Sequence, residues 1–160
     1  MSRNVKAIPE GYQTVTPDLA LRHAARAIEF YKRAFGASEL MRFNTPDGKI
    51  GHAEIKIGNS MVMLCDENPQ GGCASPASLN GTTTMLFLYV EDVDAAFQQA
   101  VKAGATVAMP LADMFWGDRY GQVLDPFGHR WALATHKEDL TQEQIEQRAQ
   151  EFFASLPKRK

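Results

Sequence analysis

A chain of 160 residues, with 44% apolar and 22% charged side chains, is long enough for one domain with a real core. Seventeen Lys and Arg against nineteen Asp and Glu leave a net charge of −2, which gives no electrostatic basis for a nucleic-acid partner or an anionic membrane. Two cysteines, Cys65 and Cys73, are too few and too local for a disulfide framework, so a reducing cytoplasm is the simplest setting. Met1 to Gly11 holds charges and a proline but no apolar run, so no signal peptide is expected, and no stretch approaches the ~20 apolar residues that span a bilayer.

In chain order, Pro17 to Leu21 reads as a short strand and Ala24 to Phe35 as a helix. Ile28, Tyr31 and Phe35 fall at helical spacing, and Gly36 ends it. Glu39 to Phe43 is a strand, Pro46-Asp-Gly48 a turn, and Ile50 to Ile57 and Ser60 to Cys65 are strands joined by the two-residue hairpin signal Gly58-Asn59. A Gly-, Pro-, Ser- and Asn-rich loop, Asn68 to Gly81, precedes the second half. There Thr83 to Val90 is an alternating strand and Val93 to Ala103 a helix closed by Gly104. Thr106 to Met109, Arg119 to Leu124 and His129 to Thr135 are strands, the last two joined by Asp125-Pro-Phe-Gly128.

The two halves repeat: a shift of about 68 residues lays Gly36-Ala37 on Gly104-Ala105 and Leu19-Ala-Leu21 on Phe87-Leu-Tyr89. Two βαβββ modules, residues 14–66 and 82–136, within a single domain spanning 1–160 are expected; two unrelated α+β halves are the alternative. The tail, 140–156, reads as an amphipathic helix. Thr141-Gln-Glu-Gln144 resembles a capping box, and Leu140, Ile145, Ala149, Phe152, Phe153 and Leu156 make one apolar face, to be buried on this chain or on a second subunit.

Four ordered segments resemble the vicinal-oxygen-chelate superfamily of glyoxalases, extradiol dioxygenases and bleomycin-resistance proteins. They are Ala27-Ile-Glu-Phe-Tyr31 with Phe35-Gly36, Val90-Glu-Asp-Val-Asp94, Trp116-Gly-Asp-Arg119 and Asp125-Pro-Phe-Gly-His129. Phe115 to Gly121 and Thr135-His-Lys-Glu138 are similar to the PhnB-like branch. The resemblance implies an α+β fold whose paired modules curl around a cleft, often in a homodimer. Metal-dependent members carry His or Gln, Glu, His and Glu at four cleft positions. By motif spacing those positions fall near Thr16, Met63, Met85 and Ala132, and neighbours one residue away supply no better ligands. A divalent metal cofactor is therefore disfavoured.

Pleat geometry refines the cleft. With Gly58-Asn59 as the turn, Ile57 opposes Ser60 and Glu54 opposes Met63, so His52, Glu54, Lys56, Met61, Met63 and Cys65 share one face. Ala53, Ile55, Ile57, Val62 and Leu64 share the other, which is uniformly apolar and belongs against the helices. His52 and Glu54, about 6.5–7 Å apart along the strand, are solvated cleft residues with Glu54 paired to Lys56 or an arginine, ligand contacts, or joint metal ligands. In the second half Met85, Phe87 and Tyr89 face the cleft, with Leu86, Leu88 and Val90 against the helix. Phe115 and Trp116 lie in a loop beside Asp118, Arg119 and Tyr120. Such a group either lines a pocket for a flat ligand, with Arg119 on its carboxylate or phosphate, or caps the barrel end with Arg119 bridged to Asp118 or Asp125.

Among the remaining histidines, His23 is expected to cap the first helix, His129 to flank its turn and His136 to begin the C-terminal segment; Cys65 reads as a small cleft residue. The preferred function is a cytoplasmic, dimeric protein that holds a small aromatic or amphiphilic molecule. Its expected contacts are His52, Glu54, Met63, Met85, Phe87, Phe115, Trp116, Arg119 and Tyr120. The alternatives are a metal-dependent lyase, isomerase, transferase or dioxygenase with a rearranged site around His52 and Glu54, and an inert interaction module docking through the C-terminal helix.

Overall fold

The computed structural model describes residues 5–156; the ends of the expected 1–160 domain, residues 1–4 and 157–160, lie outside it. The first module runs β1 (Asp18–Leu21), α1 (Ala24–Phe35), β2 (Ser38–Asn44), β3 (Ile50–Ile57) and β4 (Ser60–Asp66). After a single 3₁₀ turn and a short helix α2 (Pro76–Leu79) come β5 (Met85–Tyr89), α3 (Val93–Ala103), β6 (Thr106–Asp113), β7 (Asp118–Leu124) and β8 (Arg130–His136). Helix α4 (Gln142–Ser155) closes the chain. Helix α2 falls inside the stretch read as loop, and its start is local chemistry: Ser75 caps it from its side chain and Pro76 occupies its first turn.

Each module makes one four-stranded sheet, in the orders β1-β4-β3-β2 and β5-β8-β7-β6. β1 runs parallel to β4 and β5 parallel to β8, while the other neighbours are antiparallel. The fold is the α+β architecture of paired βαβββ units, with the sheets left open. The Gly58 turn sets the first hairpin's register, Ile57 opposite Ser60 and Glu54 opposite Met63. Ala53, Ile55, Ile57, Val62 and Leu64 all enter the main core, packed against α1.

That core is common to both modules. Trp131, fully buried on β8, packs its ring 4.5 Å from Phe35 and 5.3 Å from Tyr31 of α1. On the second sheet α3 lies so close to β7 that a side chain at Gly121 would meet Phe97 Cε2 at 2.7 Å, which only glycine avoids.

The repeat needs one correction. The amide that opens each helix is capped from the neighbouring strand, Ala24 N by Asp66 and Val93 N by Thr135, and Leu19 pairs with Leu64 as Leu88 pairs with Leu133. The strands therefore superpose one residue out of step with the helix-end glycines, and Leu19-Ala-Leu21 matches Leu88-Tyr-Val90. Leu19 is buried against the helices whereas Phe87 is 43% exposed on the opposite face, as a one-residue slip requires. His23 is also corrected. It starts α1 in a left-handed conformation with no side-chain cap; Asp66 at the end of β4 accepts from Ala24 N at 2.8 Å and takes the capping role.

Candidate functional site

The faces turned away from the helices carry the sequence-predicted residues other than Arg119, divided between the two sheets. On the first sheet His52 Nε2 lies 3.3 Å from Glu54 Oε1, with both side chains largely shielded, and the Phe43 ring sits 6.0 Å from His52. Glu54 is thus partnered by His52 rather than by Lys56 or an arginine. Met63 lies opposite Glu54 and beside Asp18 of β1. Tyr12, which the sequence reading passed over, reaches Glu54 from the N-terminal segment. The hydrogen bond to that carboxylate, then desolvation, then its charge push the Tyr12 phenol up to about 12.

The second sheet presents aromatics. Phe87 lies 4.8 Å from Tyr89 and 5.6 Å from Tyr120, centroid to centroid. Tyr120 meets Trp116 edge-on at 5.5 Å, and Trp116 meets Phe115 at 4.9 Å. Phe115 continues onto Phe152 and Phe153 of α4 at 5.3 and 5.9 Å. The tail's apolar face therefore rests partly on its own domain, though Phe153 stays 61% exposed. Small Ala132 and Ala134 of β8 make the floor under Tyr120, with Met109, Met114 and Trp116 around it.

Polar groups fix these rings. Asp118, 3% exposed, accepts from Tyr89 Oη at 2.9 Å, from Trp116 Nε1 at 3.0 Å and from His136 Nδ1 at 2.8 Å. Hydrogen bonds to Asp118 and then Asp139 raise the His136 pKa above the ordinary histidine value. Gln122 donates to Tyr120 Oη at 2.6 Å and accepts from Arg130 at 3.0 Å. Sequence reasoning missed Gln122, whose signal was its alternation with Tyr120 along β7.

Arg119 lies elsewhere. Its neighbours Asp118 and Tyr120 face the aromatics, so pleating turns Arg119 to the helix side. There its guanidinium forks onto Asp94 at the start of α3, Nε–Oδ2 and Nη2–Oδ1 both 2.7 Å, with Asp113 at 3.3 Å. The carboxylates it bridges are these, not Asp118 or Asp125.

Between the edge strands β1 and β5 opens a cavity of about 1010 Å³. Its walls include Leu19, Met61, Met85, Leu86, Phe87 and Trp131. Met85 and Phe87 are thus the expected site residues shared by the cavity and the aromatic face. No hydrogen bond or ring contact among the described residues links the His52–Glu54 pair to the aromatic group.

The positions that would ligate a metal by family resemblance hold a hydroxyl (Thr16), two thioethers (Met63, Met85) and a methyl (Ala132). That donor set does not fit a hard divalent cation. Among the described residues no three His, Cys, Asp or Glu side chains gather closely enough to hold one elsewhere.

Two open βαβββ sheets, α1 against α3, and a cleft face on each sheet define the class. The family model described as Glyoxalase/Bleomycin resistance protein/Dioxygenase superfamily matches residues 14–133, and the chain belongs to that superfamily. It is 47% identical over 135 residues to the uncharacterised protein Rv0887c of Mycobacterium tuberculosis H37Rv, covering 82% of this chain and 79% of that one. The crystal structure of TioX from Micromonospora sp. ML1 is similar at a TM-score of 0.60 and 29% identity, over 81% of this chain and all of TioX. A PhnB protein from Bacillus cereus shares the fold at 19% identity and a TM-score of 0.60, over 77% of this chain and 99% of that one. Among the described residues no helix is long and apolar enough to cross a membrane.

Proposed function

We propose that this superfamily member lacks the usual metal ligands and binds a small aromatic or amphiphilic molecule without chemistry. The observation that carries the reading is the cavity of about 1010 Å³ between β1 and β5, whose Phe87 wall continues into the Tyr89–Tyr120–Trp116 aromatic group. Its size lies at the upper end of the ~300–1,000 Å³ of small-molecule pockets, and its apolar lining with few fixed polar groups suits a flat ligand. Asp18, Ser60 and Thr84 are among the polar side chains on the cavity wall; Arg119 is not, being committed to Asp94. Isothermal titration against planar antibiotics and aromatic metabolites tests it. Saturable binding that weakens in Phe87→Ala supports the reading, and no binding across the panel overturns it.

The cleft faces leave Met41, Phe43, Met85, Phe87 and Tyr89 between 40% and 64% exposed. Monomers rarely expose contiguous apolar patches beyond a few hundred Å². A homodimer whose second copy covers part of these faces is therefore part of the proposal, checked by light scattering on the eluting peak.

The contact between His52 and Glu54, with Tyr12 beside them, favours one rival: a metal-dependent enzyme using these residues. Stoichiometric zinc, nickel, manganese or iron in protein purified without chelator would establish it over the binding reading.

A further inference from the structure

Cys65, the penultimate residue of β4, and Cys73, in the following loop, are both half-buried with their sulfurs 3.5 Å apart. The chain between them is held at several points. Asn68 and Cys73 exchange backbone hydrogen bonds of 2.7 and 3.0 Å, and Gly72 makes the intervening turn with a φ of 82°. Beyond Cys73, the Glu67 carboxylate accepts from Ser75 N at 3.1 Å, Ser75 Oγ at 2.6 Å and Ser78 Oγ at 2.5 Å, and pairs with Arg22 at 2.8 Å. On the other side Cys65 is fixed in the ladder opposite Ala20. The entropy of closing this loop is thus already met by hydrogen bonds in the reduced chain, and forming a bond of ~2.05 Å asks only for side-chain rotation and a small loop shift.

We propose that Cys65 and Cys73 form a dithiol modification site, reversibly oxidised to an intramolecular disulfide by a small dialkyl disulfide of the glutathione type. The site is accessible, because both cysteines line a cavity of about 680 Å³ together with Lys49, Glu67 and Pro69. The first attack falls to Cys73, which sits on the loop, whereas Cys65 is fixed within the β4 ladder, where burial raises its thiol pKa. The Cys73 thiolate attacks one sulfur of the oxidant, forming a mixed disulfide and releasing one thiolate. The Cys65 sulfur then attacks the Cys73 sulfur, its proton passing to the second departing thiolate. Two protein thiols are oxidised, one oxidant disulfide is reduced to two thiols, and no atom is gained by the protein.

The product would clamp a segment with structural work on both sides. Asp66, next to Cys65, holds Ala24 N at the start of α1 and Ile50 N at the start of β3 at 2.8 and 2.7 Å. Oxidation therefore acts on the frame of the first module, independently of any ligand in the cleft.

The test incubates the reduced full-length protein in graded mixtures of oxidised and reduced glutathione, quenches with acid, and reads mass and titratable thiols. The expected product is lighter by two hydrogens, has lost both thiols together and is restored by dithiothreitol. It should form at an oxidant ratio at least about ten-fold lower than in the same chain unfolded in urea. In Cys65→Ser, Cys73 should accumulate one glutathione adduct, and in Cys73→Ser the remaining thiol should react more slowly. Stable glutathione adducts on the unaltered chain without bridging, or equal midpoints for folded and unfolded chains, would overturn the proposal.

Discussion

The Tyr31 hydroxyl, on the helix of the first module, donates to Asp125 Oδ2 in the last turn of the second at 2.8 Å. Asp125 is 3% exposed and also accepts from Trp131 Nε1 at 3.0 Å, Phe127 N at 2.8 Å and His129 N at 2.9 Å. Burial first, and the neighbouring carboxylate second, push the Tyr31 phenol well above its ordinary pKa. One carboxylate therefore ties helix, turn and strand across the boundary between modules. Tyr31→Phe removes one donor of four and should cost about 1–3 kcal/mol. Asp125→Leu strands two side-chain donors and two amides and should cost more. Urea denaturation of both variants measures the order, and equal losses would contradict this assignment.

Phe87→Ala separates binding from folding. Phe87 is 43% exposed and faces away from the core, so its loss should cost well under the ~3–5 kcal/mol of a fully buried Phe. Ligand affinity should fall by about ten-fold, the equivalent of ~1.4 kcal/mol. A variant that unfolds at ambient temperature while retaining affinity would contradict the placement.

Arg119→Gln should leave ligand affinity unchanged, because the guanidinium is spent on Asp94 on the helix side of β7. A small loss of thermal stability is expected, and it should shrink in high salt because the pair is partly exposed. A large loss of affinity for an anionic ligand would return Arg119 to the site.

His136 makes stability depend on pH in a defined direction. Its bonds to Asp118 and Asp139 raise its folded pKa above the unfolded histidine value of about 6.5. The stabilisation is therefore complete below the unfolded pKa and is lost as pH rises through the folded one. Melting temperatures of the native chain and of His136→Gln, followed from pH 5.5 to 8.5, should converge at the alkaline end. A gap that widens toward alkaline pH would reverse the sign.

The faces of β3 and β4 were legible because the Gly58-Asn59 turn fixes register, and register fixes which side chains share a face. The strand offset between modules was not, because the glycines used to align the repeat close helices of twelve and eleven residues, so the helix ends align at one shift and the strands at another. Arg119 was misjudged for a related reason. Its nearest carboxylate in sequence, Asp118, points to the other side of the sheet, while its partner Asp94 lies 25 residues away on α3. His23 likewise lost its capping role to Asp66, 42 residues from Ala24 and joined to it by the β1–β4 pairing alone. The aromatic group was readable as Met85, Phe87, Phe115, Trp116 and Tyr120, but the Asp118 hub that orients Tyr89 and Trp116 comes from tertiary pairing.

The chain's two tryptophans occupy opposite environments, Trp131 at 0% exposure in the shared core and Trp116 half-buried at the aromatic face. The molecule thereby carries two optical reporters of different events. Iodide should quench the Trp116 emission while sparing Trp131 until the chain unfolds, and a flat ligand that reaches the aromatic face should dim Trp116 first. With Trp116→Phe as the silent reference, occupancy and unfolding can be followed separately in one cuvette, without a label.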